Sequence, residues 1–541
     1  MDKIKNLISK ISVEIKELAK KFPITVGLIV FVTLLVAVCV EQDFSDNTME
    51  ILGKICTFVT IFGFGTFFTE TYFQKKNTKI ISYIVTCIIS FIFMHMIFDN
   101  IKEYESILGR SLAAYLITLF SITIYKIIKN ENLKFTEYVL KLFRDLLNNS
   151  ITYGILSIGV SILVVIFVEL ILDGKFGNSF IRIHILLFGL FYVLSLLYSF
   201  SSINKKEVNS FAKGLTLYVL LPLVVIAMLI IYVYIAKIII LRDIPKNIIY
   251  RILAGIFVVA FPVWNMASYY GTEKKLIGKI TKILPYLYIP FIFLEMYSIG
   301  ARISGFGITP LRYVSCAFII FQIIAIILNI YKNKEKLDLL FIVIAIFGII
   351  LLVTPLNYEN VSYLSQKGII EKYLKQNMNF ADLEDEAKAK VKGAYKYLSS
   401  EKNGEKYIPD YLTEEDISQI KKYSTTGSYD EYRDYNYFYS DKSLELDIEN
   451  YRKITKISAY ENDKSVVKLE KINQKVDFSD FAKEIIKKDK ENEEIAKEYF
   501  KENNLIKVDD THDIYVEHIS LEYDANDAIQ YFSIEGYLLT K

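Results

Sequence analysis

For a chain of 541 residues, this sequence is poor in the side chains that most often cross-link, bind metals or catalyse: it has four cysteines, four histidines and one tryptophan. Cys39, Cys56, Cys87 and Cys316 all fall inside apolar runs and none follows them, so the C-terminal part is not a disulfide scaffold. No HExxH, Walker phosphate loop, GxSxG elbow or paired CxxC occurs. His512 and His518 would share a face on one strand yet lie about 20 Å apart at roughly 3.3 Å per residue, too far for one metal. No metal and no cofactor are therefore expected. The glycines at 63 and 65 lack the third glycine of a dinucleotide loop and sit in an apolar run, so they read as packing. The net charge of +2, from 63 basic and 61 acidic side chains, excludes nucleic-acid binding driven by overall charge. No internal period marks a repeat protein or an inverted-repeat transporter.

What the chain does have is segregated. It is 53% hydrophobic and 23% charged. Residues 1–354 carry 35 Lys+Arg against 22 Asp+Glu, a balance of +13, and residues 355–541 carry 28 against 39, a balance of −11. That division excludes a disordered chain and a soluble single-domain enzyme. Eleven apolar runs in the first part are long enough to be helical spans: 22–40, 51–69, 80–98, 107–128, 151–172, 180–200, 212–240, 248–268, 283–301, 310–331 and 338–355. About 20 helical residues cover a hydrocarbon core roughly 30 Å thick, and helices are required because lipid offers the backbone no hydrogen-bond partner. Pro222 inside the long 212–240 run predicts a tilted or kinked helix. The first run is too long for a cleaved signal peptide and no small-x-small site follows, so it reads as a retained anchor.

Lys and Arg in the connecting loops set the orientation. The N-terminal segment holds Lys3, Lys5, Lys10, Lys16, Lys20 and Lys21, whereas 41–50 has only acids: Glu41, Asp43, Asp46 and Glu50. Basic and poor loops then alternate, with Lys75, Lys76 and Lys79, later Lys274, Lys275 and Lys279, on the basic side; only 241–247, with Arg242 and Lys246, breaks the pattern. The N-terminus is expected in the cytoplasm and, after eleven spans, the C-terminal domain outside. Abundant Ile, Lys, Tyr and Asn point to a low-GC bacterium, hence its plasma (inner) membrane. The expected fold class is a polytopic α-helical membrane bundle of about eleven spans followed by a soluble α+β C-terminal domain. Its parts are a cytoplasmic segment 1–21, a transmembrane domain 22–355, a helical extracytoplasmic subdomain 356–424 and an α+β extracytoplasmic subdomain 425–541.

Charges within spans are costly, so their depth is informative. Lys54, His95, Arg110, Glu169, Arg182, His184, Lys237, Arg251, Glu295, Arg302 and Arg312 fall near outer ends on this topology, Lys213 is an inner-end exception, and Asn265 lies deeper, beside Pro262 and Trp264. Snorkelling accounts for Lys54, Lys237 and Arg251 but less well for the short Glu169 and Glu295. The alternative is an outward-facing polar vestibule for an anionic headgroup, an ion or a sugar.

Residues 301–313 read ARISGFGITPLRY. Gly305 and Gly307 permit a tight turn, Thr309 can cap the next helix and Pro310 suits its first turn. Arg302 at a helix end favours the dipole, whereas Arg312 in a first turn opposes it and wants an anionic partner: Glu295, an acidic loop or a bound phosphate. Two readings stay open, a structural hairpin with one buried ion pair and an anion-binding site made of Arg302, Arg312 and Glu295. The pattern Arg302, Gly307, Thr309, Pro310, Arg312, preceded by Tyr286 and Tyr297, resembles the signature of the "domain of unknown function 4153" family. The stretches NVSYLSQ, AYKYLSS and IPDYL between 360 and 412 resemble the region after that family's last span. The resemblance implies a multi-pass bacterial plasma-membrane protein of unestablished function and carries no catalytic residue. Where a Tyr is expected before Gly307, this chain has Phe306.

Beyond 355, Leu364, Ile369, Ile370 and Leu374 have helical spacing from Ser362 to Met378; Ala381–Ser399 forms a second candidate helix, and Thr413 with Asp416 opens a third. A tyrosine-rich loop at 425–440 leads to strands near 443–469, with Leu444, Leu446 and Ile448 alternating. A Lys/Glu-rich helix follows at 479–503, a solvated face, and then strands at 504–509, 513–523 and 528–539 with a turn at 524–527.

Three functions remain open. The first is an envelope protein whose outer domain binds a ligand or partner. The second is a polyprenyl-phosphate-dependent glycosyltransferase-like enzyme, with Glu41, Asp43, Asp46 and Glu50 as base and metal ligands and Arg302 and Arg312 on the lipid phosphate; this rests on architectural analogy. The third is a transporter, disfavoured by sparse mid-membrane polarity. Expected partners are membrane lipids and a lipid-linked or anionic ligand, with no nucleic acid; the sequence names no protein partner.

Overall fold

The computed structural model describes residues 16–40, 46–98, 105–171, 179–201, 210–241, 249–375, 378–401, 403–423, 436–439, 451–462, 465–469, 474–491, 493–523 and 529–541. They fall into two units, Met1–Ser304 with Thr309–Val361, and Gly305–Ile308 with Ser362–Lys541.

The first unit is helical: α1 (Pro23–Cys39), α2 (Asp46–Tyr72), α3 (Lys76–Phe98), α4 (Glu105–Asn130), α5 (Phe135–Ile171), α6 (Phe180–Phe200), α7 (Phe211–Ile240), α8 (Ile249–Ser268), α9 (Lys275–Phe306), α10 (Pro310–Ile330) and α11 (Leu339–Leu352). Among the described residues nine helices are long and apolar enough to cross a membrane; α1 and α11 are apolar but shorter. Proline sets one end of each short helix. Pro23, with no N–H to satisfy, opens α1, and Pro355 follows the end of α11, where a helix cannot continue. At 1.5 Å per residue, the 17 residues of α1 and 14 of α11 reach about 25 and 21 Å.

Two other helices depart from expectation. The run expected at 151–172 belongs to α5, which starts at Phe135 because its first turns are amphipathic and buried at Tyr138, Leu140, Arg144 and Asp145. In α7 the disturbance foreseen at Pro222 is a π-helical stretch, Leu215–Leu220, just before it. A proline ring clashes with the carbonyl four residues back, and widening that turn relieves the clash. A second π-stretch, Phe188–Val193, lies in α6.

One core runs through α7–α10, where Leu253, Phe257, Trp264, Tyr288 and Phe291 are at most 2% exposed. A second joins the opening helices through Phe22, Phe67, Ile124 and Tyr138. Outward positions are apolar instead: Ile155 is 68% exposed, Val233 71% and Ile240 78%. That pattern is stable only where the surrounding solvent is lipid. Between α2 and α3 the contact is made by small residues: a side chain on Gly65 would meet Thr86 at 2.6 Å, and the Thr69 and Ser82 hydroxyls share a hydrogen bond of 2.7 Å.

The second unit has two cores. α12 (Tyr358–Tyr373), α13 (Asp385–Ser400) and α14 (Glu414–Lys422) enclose Tyr363, Ile370, Phe380, Val391 and Leu398. Thr413 and Asp416 form the foreseen capping box. The other core lies beneath an antiparallel sheet of β1 (Asn436–Tyr439), β2 (Lys453–Asn462), β5 (Leu505–Lys507), β6 (His512–Tyr523) and β7 (Ile529–Thr540), ordered β1-β6-β7-β2 with β5 also on β6; β3 (Val466–Leu469) and β4 (Gln474–Asp477) pair separately. The expected single helix 479–503 is two, α15 (Ser479–Glu491) and α16 (Glu493–Asn503), whose Ala482, Ile485 and Phe500 pack with Ile514, Val516 and Phe532. Leu444, Leu446, Ile448 and the 524–527 turn lie outside the described residues. His512 and His518 share β6, but a register shift between Val516 and His518 breaks the common face.

Candidate functional site

A buried polar group in the first unit lies where α8, α9 and α10 face one another. Seven residues, two helical turns, separate Tyr288 from Glu295 on α9, and seven separate Gln322 from Asn329 on α10, so each pair lines one face. Glu295 is 1% exposed. Gln322 Nε2 donates to Glu295 Oε2 at 2.9 Å, and Tyr288 Oη lies 3.3 Å from Glu295 Oε1 and donates to the Leu253 carbonyl at 2.7 Å. Further along, Asn329 Nδ2 donates to Asn265 Oδ1 at 2.9 Å and Asn265 Nδ2 to the Phe261 carbonyl at 2.8 Å. Among the described residues, Gln322 Oε1, Asn329 Oδ1 and Trp264 Nε1 are buried with no hydrogen-bond partner.

Depth follows from helix arithmetic. α9 extends to Phe306, eleven residues past Glu295, and Gln322 is twelve residues into α10. At 1.5 Å per residue these are about 16 and 18 Å from the helix ends that meet at Gly307. Glu295 therefore lies more than four helical turns inside the described end of α9, farther from it than the run 283–301 implied.

The arginines expected beside it are placed differently. The Arg302 guanidinium lies 5.2 Å over the Tyr250 ring, and Arg251 Nε donates to Tyr250 Oη at 2.9 Å. Arg312 is 8% exposed, in the first turn of α10 behind Pro310. The hydrogen bonds to Glu295 come from Tyr288 and Gln322, not from either arginine. Thr309 occupies the N-cap position with an extended backbone, but its side chain makes no capping bond. Gly307 has φ of 71°, and a Cβ there would meet Ile369 at 2.5 Å, so conformation and space both require glycine. Within the second unit this turn is held by α12: Gln366 Nε2 donates to the Phe306 and Ile308 carbonyls, and Ser365 Oγ accepts from the Ile308 amide.

In the acidic stretch, Glu41 and Asp43 lie outside the described residues and Asp46 begins α2. Glu50 is exposed and paired with Lys54 at 2.7 Å, one turn along the same helix. Among the described residues no three His, Cys, Asp or Glu gather as metal ligands. Glu70 was not foreseen, and Arg110 was expected only as a charge near a span end, without its partners. Glu70 on α2 accepts from the Ile24 and Thr25 amides. Arg110 on α4 donates to Asn357 at 2.6 Å and pairs with Glu359 at 3.1 Å. The available signal was an acid at the end of one apolar run and a base at the start of another.

Among the described residues, nine membrane-length apolar helices around buried polar groups define a multi-pass α-helical membrane protein. Residues 25–391 match the family model Domain of unknown function (DUF4153), and the chain belongs to that family. No curated protein and no solved structure matches the chain.

Proposed function

We propose that the chain is a bacterial plasma-membrane protein with a cell-envelope role: a bundle of eleven crossings carrying an extracytoplasmic C-terminal domain that binds a ligand or protein partner. The observation that carries this reading is the alternation of Lys/Arg-rich and Lys/Arg-poor connections along the bundle. The short helices α1 and α11 stand where the first and last crossings are expected, and local thinning of the bilayer accommodates their length at modest cost. Counting both gives an odd number, with the N-terminus inside and the C-terminus outside. The separate cores of α12–α14 and of the sheet support a helical subdomain 356–424 and an α+β subdomain 425–541. Arg302 and Arg312 are the groups we assign to an anionic or lipid-linked ligand. Glu50, held by Lys54, lends no support to a catalytic acidic loop.

One observation favours transport as a second reading: a carboxyl group buried inside the bundle, about 16 Å from the end of its helix. Labelling of tags at the two termini in intact cells tests the topology, and a C-terminus reachable only from the cytoplasm overturns it. Deleting residues 362–541 while the bundle still inserts tests the binding role. Full complementation of a deletion strain by that truncation would discard it.

A further inference from the structure

Glu295 is buried, and each of its carboxylate oxygens meets a neutral group. Gln322 Nε2 donates to one of them, Tyr288 Oη lies 3.3 Å from the other, and among the described residues no Lys or Arg nitrogen lies within ion-pair distance of it. Such contacts with neutral groups do not return the cost of desolvating an ion in the interior of the bundle.

The count of hydrogens points the same way. Tyr288 has one hydroxyl hydrogen and two oxygens in reach, the Leu253 carbonyl at 2.7 Å and Glu295 Oε1 at 3.3 Å. The shorter contact takes the hydrogen. The second oxygen–oxygen contact is then satisfied by a hydrogen on the carboxyl or by a cation between the two oxygens. On the other side, Gln322 Oε1 has no partner among the described residues while its Nε2 serves Glu295. The two ends of an amide are interchangeable in shape. Turned over, Gln322 would accept from a protonated carboxyl and free its own donors for the space its oxygen now occupies. The orphaned Asn329 Oδ1 adds a second unfilled acceptor on the same face of α10.

We infer that Glu295, Tyr288 and Gln322 form a buried binding site for one monovalent cation, a proton or an alkali ion, at the centre of the bundle. For a proton the step is addition of H⁺ from water to the Glu295 carboxylate, giving a neutral carboxyl with no other bond made or broken. The other charged and titratable groups on these helices are Lys213, Tyr218, Tyr232, Tyr234 and Lys237 on α7, Tyr250 and Arg251 on α8, Lys275, Lys279, Lys282, Tyr286, Tyr297 and Arg302 on α9, and Arg312, Tyr313 and Cys316 on α10; Tyr288 is the one in contact with the carboxylate. The site goes beyond the binding role proposed for the outer domain and does not depend on it.

The test is thermal unfolding of the full chain in detergent, wild type against Glu295→Gln. It is run across pH with choline as the only cation, then with Na⁺ or K⁺ replacing choline at fixed pH. The readout is the difference in melting temperature between the two proteins, which cancels titration elsewhere. A difference that changes with pH identifies a proton; one that changes with Na⁺ or K⁺ identifies an alkali ion. A difference constant in both series overturns the site. Should Glu295→Gln not fold, Gln322→Leu takes its place. Its midpoint should shift roughly tenfold in cation concentration, the effect of one hydrogen bond to a charged group, and an unshifted midpoint overturns the site.

Discussion

Thr25 Oγ1 donates to Glu70 Oε2 across 2.6 Å, and the same carboxylate accepts the Ile24 amide at 2.8 Å and the Thr25 amide at 3.3 Å. These are first-turn amides of α1, which have no partner within their own helix. Tyr83 on α3 adds a fourth donor at 3.2 Å. A neighbouring helix thus caps α1, and the charge meets the positive end of its dipole. Glu70→Ala should cost about 3 kcal/mol, because it strands two amides at a buried helix start. Glu70→Gln should cost less but still lose stability, since its NH₂ would face donors. Unfolding of the detergent-solubilised protein measures both. A loss under about 1 kcal/mol for the alanine variant would mean that something else serves the amides.

Arg110 joins the start of α4 to the segment after α11 through a planar fork, one nitrogen on Asn357 and another on Glu359, with the guanidinium 5.7 Å over Tyr358. The pair is largely shielded, at 10% and 15% exposure. Lysine cannot reproduce the fork or the stacking. Arg110→Lys should therefore lose much of what Arg110→Ala loses. A double-mutant cycle with Glu359→Gln should give a coupling of about 1–2 kcal/mol, above that of an exposed pair. Additive losses would show that the two side chains do not support each other.

The sequence revealed those parts of the fold that depend on one segment at a time. A 20-residue apolar window declares a span because lipid leaves the backbone no alternative to a helix, and Thr413 with Asp416 declares a helix start because the capping bonds are local. The buried site was visible only as Glu295. Tyr288, Gln322, Asn265 and Asn329 are neutral, so a count of intramembrane charges passes over them, and their meeting depends on how three helices face one another. The distance of Glu295 from its helix end was hidden because the polar residues of ARISGF conceal more than one further turn of α9. Arg312 and Glu295 are near in sequence pattern, but Gln322 is the residue on α10 whose turn faces the carboxylate.

Near the start of β6, Asp509 accepts from the Thr511 hydroxyl and amide, both at 2.7 Å, and from the His512 amide at 2.8 Å. The Thr511 hydrogen bonds, with His512 beside them, pull its carboxyl down to about 2. A depressed carboxyl stabilises the fold above its unfolded value, about 3.9, and that contribution is lost as the pH falls through about 2. The melting temperature of the wild type should therefore exceed that of Asp509→Asn by a constant amount above pH 4. The gap should narrow steadily as the pH falls toward 2. A gap that persists unchanged to pH 2 would mean that the carboxylate charge contributes nothing to this turn.

In the helical core of the second unit, Asp416 does two jobs that can be separated. Its Oδ2 accepts from the Thr413 hydroxyl at 2.7 Å and amide at 3.2 Å, while Oδ1 accepts from the Phe380 amide at 3.2 Å. Burial pushes this carboxyl up, but the bonds from Thr413 and Phe380 outweigh it and hold it below its ordinary value. Thr413→Ala removes only the local half, the cap of α14, and should cost about 1 kcal/mol; Thr413→Ser should restore most of it. Asp416→Ala also frees the Phe380 amide, which anchors the turn Phe380–Asp382 against α14, and should cost about 2 kcal/mol or more. Hydrogen exchange distinguishes the two effects. Thr413→Ala should speed exchange in the first turn of α14 alone, whereas Asp416→Ala should also speed it at Phe380. Equal exchange at Phe380 in both variants would show that the cross-link between the two segments does not hold that turn.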